Sequence, residues 1–345
     1  SPTLDIENYG LTNEHLNKKF KASSEICLKE ASLKEIIEHL KLTYCKSIGV
    51  EYMYIRTPEI IKWFKQKMEP RKNQPAFNEK EKLEIYSDLV KATFFEQFLH
   101  KKFIGQKRFS LEGVDAIIPA LDFASESASN LGVEEIVLGM SHRGRLTVLA
   151  NFLEKPLYEL FEEYIGKSYD DESILGDVKY HLGYNNLKTL SSGKQLFISM
   201  LPNPSHLETV APVALGFAKA RILKVHKQNF DKLLPIVIHG DAAISAQGIA
   251  YETAQMSQLD GYGVGGTLHF VLNNQVGFTT NYTEGRSSTY STDIAKVTQS
   301  PVFHVNADDP ESLILAVQLA IEFRQTFHRD VYIDILGYRK YGHNE

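Results

Sequence analysis

Cysteine is scarce in this chain: Cys27 and Cys45 are the only two in 345 residues. Two thiols cannot frame a disulfide-stapled fold, and they suit a reducing compartment. No run of 18 apolar residues occurs, which excludes a helical membrane span of ordinary length. Positive charge is not in excess either. The 38 Lys and Arg face 43 Asp and Glu, a net charge of −5, so bulk electrostatics give no reason to expect nucleic-acid binding. Internal repeats and low-complexity tracts are missing, and the start, Ser1-Pro2-Thr3, has no mark of a secretory signal. What remains is an ordinary globular composition, 43% hydrophobic and 23% charged, long enough for one large domain or two.

The chain divides by pattern. Residues 1–78 are rich in Lys and Glu and carry helical spacing, clearest over 30–42 and 58–68, which predicts a small helical N-terminal region. The polar break Pro70-Arg71-Lys72-Asn73-Gln74-Pro75 places a boundary there. Over 79–345, helical patterns at 78–102, 114–130, 208–225, 245–259 and 309–327 alternate with short apolar runs at 135–139, 195–200, 235–239, 267–272, 303–305 and 331–336. That alternation predicts an α/β fold, a doubly wound parallel sheet with helices on both faces.

Polar residues gather just past the carboxyl ends of the predicted strands. Gly240-Asp241 ends one strand and Asn273-Asn274 ends another, Asp241 and Asn274 lying thirty-three residues apart across a strand–helix–strand frame. Either residue by itself reads as a turn or cap residue. Together with the backbone carbonyl of Val276 they offer three hard oxygen ligands, half an octahedron suited to Mg²⁺, which leaves its other positions to phosphate oxygens and water. A helix starting at Ala242 can turn its N–H groups towards the same anion. The residues therefore predict a metal-bridged diphosphate site. His142-Arg143 and His206 follow two other strands, giving a proton-trading side chain and a forked cation at the same sheet edge. Ser205 reads as a helix cap. Gly261-Tyr262-Gly263-Val264-Gly265-Gly266 follows a helix and precedes a strand, the reverse of a dinucleotide loop, and reads as a turn.

Gly240-Asp241-Ala242-Ala243 with Asn273-Asn274 resembles the thiamine diphosphate (ThDP) binding motif, which usually opens Gly-Asp-Gly; the Ala departs from that pattern as the 2-oxoglutarate dehydrogenases do. The segments Ser141-His142-Arg143-Gly144-Arg145-Leu146, Lys179-Tyr180-His181-Leu182-Gly183, Asn203-Pro204-Ser205-His206-Leu207-Glu208 and Tyr338-Arg339-Lys340-Tyr341-Gly342-His343-Asn344-Glu345 stand in the order seen in the first, decarboxylating component of the 2-oxoglutarate dehydrogenase complex. The resemblance runs from about residue 80 to the end.

That resemblance implies a ThDP- and Mg²⁺-dependent enzyme, in a bacterial cytoplasm or mitochondrial matrix, that decarboxylates 2-oxoglutarate and passes the succinyl unit to a lipoyl-bearing succinyltransferase. It implies that Asp241, Asn274 and Val276 hold the metal. Ser199, Leu201, Ala242 and Ala243 would line the cofactor, with Arg143 reaching it too. His142, His181 and His206 would form the catalytic set, and Arg143, His181 and Ser199 would face the substrate. It further implies a homodimer, and a second α/β domain that binds the aminopyrimidine ring and is missing from this chain, so that the chain alone turns over poorly. A 2-oxoadipate dehydrogenase of the same family, one methylene different in substrate, and a non-catalytic assembly module of the same fold are the alternatives.

Overall fold

The computed structural model describes residues 5–22, 26–165 and 178–345; Ser1-Pro2-Thr3 lies outside them. After two short 3₁₀ turns, Ile6–Tyr9 and Asn13–His15, strand β1 (Lys19–Lys21) pairs antiparallel with β2 (Glu30–Ser32). Helix α1 (Leu33–Tyr44) follows, capped by Ser32 and Glu35 in reciprocal bonds. Then come strand β3 (Ile48–Glu51) and helices α2 (Pro58–Met68), α3 (Glu79–Lys102) and α4 (Ile117–Asn130). Strand β4 (Glu135–Met140) leads to a short α5 (Arg145–Thr147) and then α6 (Leu157–Ile165). Strands β5 (Tyr184–Thr189) and β6 (Gln195–Met200) form a hairpin before α7 (Val210–Lys224). Strand β7 (Leu233–Gly240), helices α8 (Asp241–Ala246) and α9 (Gly248–Met256), and strand β8 (Leu268–Asn273) make the central unit. A small ribbon of β9 (Val276–Gly277) and β10 (Thr280–Asn281), helix α10 (Tyr282–Gly285), a 3₁₀ stretch Ser291–Thr298, β11 (Val302–Asn306), α11 (Pro310–Phe327) and β12 (Val331–Leu336) complete it.

Eight strands form one sheet in the order β3-β11-β12-β8-β7-β4-β6-β5. The six inner strands are mutually parallel, and β3 and β5 run antiparallel at the two edges. The expected doubly wound α/β sheet is thus what forms, closed at each margin by an antiparallel strand. Both faces are covered, which is why the inner strands read as nearly continuous apolar runs. Successive residues split between the faces. Ile136 and Leu138 join the larger core with Phe270, Ile333, Leu315 and Leu121, while Val137 packs with Ala214, Ala218 and Ile222 of α7. Val271, Val302 and Tyr332 meet Ile244, Ala250 and Ile294 on that second face.

Residues before 79 are not only helical. Strand β3 extends the main sheet, and Ile60, Phe64 and Met68 of α2 are buried in the larger core. The Phe64 ring stacks on Tyr52 at 4.8 Å and on Phe323 of α11 at 5.4 Å. An amphipathic helix needs an apolar partner, and α11 supplies it. The single helix expected over 245–259 is two: Gln247 adopts an extended conformation (φ −78°, ψ 122°) between α8 and α9. Ser205 does not cap α7, whose N-cap is Thr209. The glycine run 261–266 is a turn as expected. Gly265 and Gly266 have φ of +74° and +84°, and a Cβ on Gly266 would lie 2.4 Å from the Arg329 carbonyl oxygen.

Candidate active site

The winding of the sheet locates the site. From β4 the chain moves outward to β6, then returns to β7 on the opposite side of β4. The carboxyl ends of β4 and β7 therefore flank a switch in winding direction, where an open α/β sheet leaves a crevice. A cavity of about 550 Å³ occupies it. Its wall includes Ser141-His142-Arg143 after β4, Gly240 at the end of β7 with Asp241 to Ala243 after it, and Asn274, Val276 and Gly277 after β8. Of the residues expected from sequence, His142, Arg143, Asp241, Ala242, Ala243, Asn274 and Val276 are thus brought together.

The other four stand back from the cavity wall. His181 is buried, and its Nε2 lies 2.8 Å from Nε2 of His142, with the Ser205 hydroxyl 3.4 Å away. Ser199 is buried inside β6, in register with Val137 of β4 and Asn185 of β5. Leu201 accepts a hydrogen bond on its carbonyl from the Arg145 guanidinium at 3.0 Å. His206 is exposed, beyond the wall of the cavity.

Each polar group at the cavity is held by a local device. Asn274 Oδ1 accepts from the Val276 amide at 3.2 Å, and Asn273 Oδ1 accepts from Gln275 N at 3.2 Å, two side-chain turns in succession. Asp241 is 3% exposed, and Arg286 Nη1 approaches its Oδ2 to 3.7 Å. Burial pushes the Asp241 carboxyl up, against the pull of Arg286, to about 6. Arg143 donates to the carbonyls of Ser110 (3.0 Å) and His343 (3.2 Å). Burial, with Arg339 nearby, brings its guanidinium down to about 10, so it keeps its charge at neutral pH. Backbone strain collects here: the non-glycine residues Phe109, Glu208, Gln275 and Phe278 all have φ between 50° and 68°, and all but Gln275 line the cavity.

Several contributors were not singled out from sequence. Arg145 is fully buried and donates to the carbonyls of Met140 (2.5 Å), Leu182 (2.7 Å) and Leu201, tying the ends of β4 and β6 to the His181 segment. Glu208 and His239 share a 2.5 Å hydrogen bond in the cavity wall. His343 and Arg286 reach the cavity from distant segments. Arg145, Glu208 and His343 stand in the segments that carry the family resemblance, which was the signal for them; His239 and Arg286 lie outside those segments. Among the described residues, no group of three or more His, Cys, Asp and Glu side chains is arranged to hold a metal ion, so any cation here must rely on amide and carbonyl oxygens as well.

A model of the family described as "Dehydrogenase E1 component" matches residues 87–345, which contain every residue lining the cavity. The 2-oxoglutarate dehydrogenase E1 component of Brucella ovis is 44% identical over 353 residues, covering 99% of this chain and 35% of that protein. That of Cupriavidus necator is 44% identical over 346 residues, covering 100% of this chain and 36% of that protein. The chain spans about a third of the length of these relatives. With the family model matching most of its length and the cavity built from the matched residues, the chain belongs to the dehydrogenase E1 component family.

Proposed function

We propose that this chain is the diphosphate-binding part of a ThDP- and Mg²⁺-dependent 2-oxoglutarate dehydrogenase, which decarboxylates 2-oxoglutarate and passes the succinyl group to the lipoyl arm of a succinyltransferase partner. One observation carries the reading. Asp241 and Asn274 follow neighbouring parallel strands, β7 and β8, and wall a single cavity with Val276. The names and identities of the relatives support the substrate assignment.

The residues present fit the cation and its diphosphate. Asp241 is a buried carboxylate that already has a positive group beside it, the Arg286 guanidinium. Asn274 Oδ1 accepts one hydrogen bond and keeps a second lone pair for a ligand. Hard oxygen donors of this kind favour Mg²⁺ over softer ions. Bound ThDP supplies an electron sink for the loss of CO₂ from a 2-oxo acid. The chain's own side chains do the rest. Asp241, Asn274 and the Val276 carbonyl grip the cation, and Ala242 and Ala243 leave room for the cofactor. Arg143, still charged, pairs with a substrate carboxylate. His142, steadied by His181, holds a proton beside the substrate's ketone oxygen. Ser199 and Leu201 support the wall from behind, and His206 belongs to the substrate-side set by resemblance alone. The remainder of the enzyme, including the aminopyrimidine-binding domain and a second copy in a homodimer, is needed for turnover.

Titration of the chain with ThDP, with and without Mg²⁺, tests this. Saturable binding that requires Mg²⁺ and is lost in Asp241→Ala is the expected result. Metal-independent binding, or an unchanged affinity in that variant, overturns it. Comparing kcat/KM for 2-oxoglutarate and 2-oxoadipate in the complete enzyme assigns the substrate.

A further inference from the structure

Behind the Asn273-Asn274 turn lies a line of paired side chains that the proposed chemistry does not use. In the β11–β12 register His304 stands opposite Asp334, on the face that also carries Val302 and Tyr332. His304 Nδ1 lies 2.8 Å from Asp334 Oδ2, and His304 Nε2 lies 2.7 Å from Glu51 Oε1. Both ring nitrogens face carboxylates, which are acceptors only, so the ring must donate twice. The other oxygen of Asp334 accepts from Asn273 Nδ2 at 2.9 Å. Asn273 Oδ1 in turn accepts from the Gln275 amide, and the Gln275 side chain donates to the Gly337 carbonyl at 2.8 Å. The chain of contacts thus begins on β3 at the sheet margin, crosses β11 and β12, and ends in the turn that carries Asn274 and Val276. Lys296 bridges Glu51 (2.9 Å) and Asp293 (2.6 Å), and the Tyr290 ring lies 4.2 Å from the His304 ring, so the outer end is fixed as well.

Resting on the function proposed above, we infer that His304, doubly hydrogen-bonded between Glu51 and Asp334, is a positioning residue that sets the Asn273-Asn274 turn and thereby the oxygen donors offered to the cation. Strand β3, outside the segment matched by the family model, is then part of the cofactor-binding machinery. The physical reason is that an amide side chain rotates freely about its last bond unless both ends are held. Asp334 holds the Nδ2 end of Asn273, which aims its Oδ1 at the Gln275 amide. Asp334 itself is oriented by His304. Outer partners of this kind tune metal affinity without touching the metal.

Two measurements test the inference. The first needs no cofactor. Amide exchange of the folded chain is compared between wild type and His304→Gln, with α11 as internal reference. Exchange at Gln275 and Val276 should quicken by about tenfold while α11 is unchanged. Unchanged exchange at both positions overturns the proposal. The second is the affinity for ThDP with Mg²⁺. His304→Gln and Asn273→Ala should each weaken it by about 10–100-fold, and the double variant should be no worse than the worse single, because both cut one line. Losses that simply add show independent effects and overturn the proposal. If His304→Gln does not fold, Glu51→Gln, at the half-buried outer end of the line, takes its place in both measurements with a smaller effect in the same direction. If the wild-type chain binds no ThDP, the function proposed above fails, while the exchange comparison still decides the bracing.

Discussion

In the cavity, the Asp241 carboxylate and the Arg286 guanidinium approach to 3.7 Å, both almost wholly buried. Arg286 Nε has no hydrogen-bond partner among the described residues, and its guanidinium lies 5.2 Å from the centre of the Tyr282 ring. The carboxylate is therefore partly compensated, by a cation on a loop that itself lacks full compensation.

Asp241→Asn should stabilise the cofactor-free chain at neutral pH. The folded carboxyl titrates near 6, against 3.8 for an ordinary Asp, so the folded state binds the proton more tightly. The burden is absent below about 4, grows as pH rises through that window, and is complete above 6. A shift of this size corresponds to about 3 kcal/mol. That shift is already net of the pull of Arg286, so a gain of up to about 3 kcal/mol at pH 7 is expected, vanishing at pH 4. Urea unfolding at the two pH values measures it. A variant less stable than wild type at pH 7 contradicts the account. The same substitution should weaken Mg²⁺-dependent ThDP binding, a trade of function for stability.

Stability should also fall on the alkaline side through His304. Burial pulls its imidazolium down, but the hydrogen bonds to Asp334 and Glu51 outweigh this and carry it up to about 9. The contribution is complete below about 6.5 and is lost as pH rises through 9. Wild type should lose about 2–3 kcal/mol between pH 6.5 and 9.5 from this group, and His304→Gln should show a flatter profile. Parallel profiles for the two proteins would exclude the assignment.

Glu96→Ala should destabilise by about 3–5 kcal/mol. Glu96 is 2% exposed, pairs with Arg108, and accepts from the Leu111 amide at 2.9 Å and from Thr147. Its removal leaves the buried Arg108 guanidinium with only the more distant Glu112 carboxylate, 3.8 Å away, and frees the segment that carries Phe109 at the cavity. Thermal or urea denaturation reads the loss, and a change below about 1 kcal/mol would show the pair to be dispensable.

Gly266→Ala should cost at least 2 kcal/mol. Its φ of +84° already disfavours a side chain, and the added Cβ would meet the Arg329 backbone rather than a side chain able to move. Gly261→Ala, with nothing within 4 Å and no positive φ, is the control and should be within about 0.5 kcal/mol of wild type.

The parts of the fold read correctly in advance are those fixed by local pattern. The inner strands are apolar because both faces are covered, and α11 announces itself through Asp309 as cap, Pro310 and Glu311. The edge strands were missed for the opposite reason. Tyr184-Asn185-Asn186-Leu187-Lys188-Thr189 is polar and Asn-rich, with little strand propensity, and is a strand because β6 pairs with it. Strand β3 is four residues long and gains its place from β11.

The sequence by itself determined the alternation of inner strands and helices and the placement of Asp241 and Asn274 just past two strand ends, because hydrophobic period and turn residues are local quantities. Only the tertiary structure decided which residues meet there. Arg286, His343 and Glu208 reach the cavity, and His181 lies behind His142, through contacts between segments far apart in the chain. Glu51 is joined to a turn more than two hundred residues away only because β3 completes the sheet. Such meetings depend on how layers pack and which strand edges are free to pair, and neither is written in any short stretch of residues.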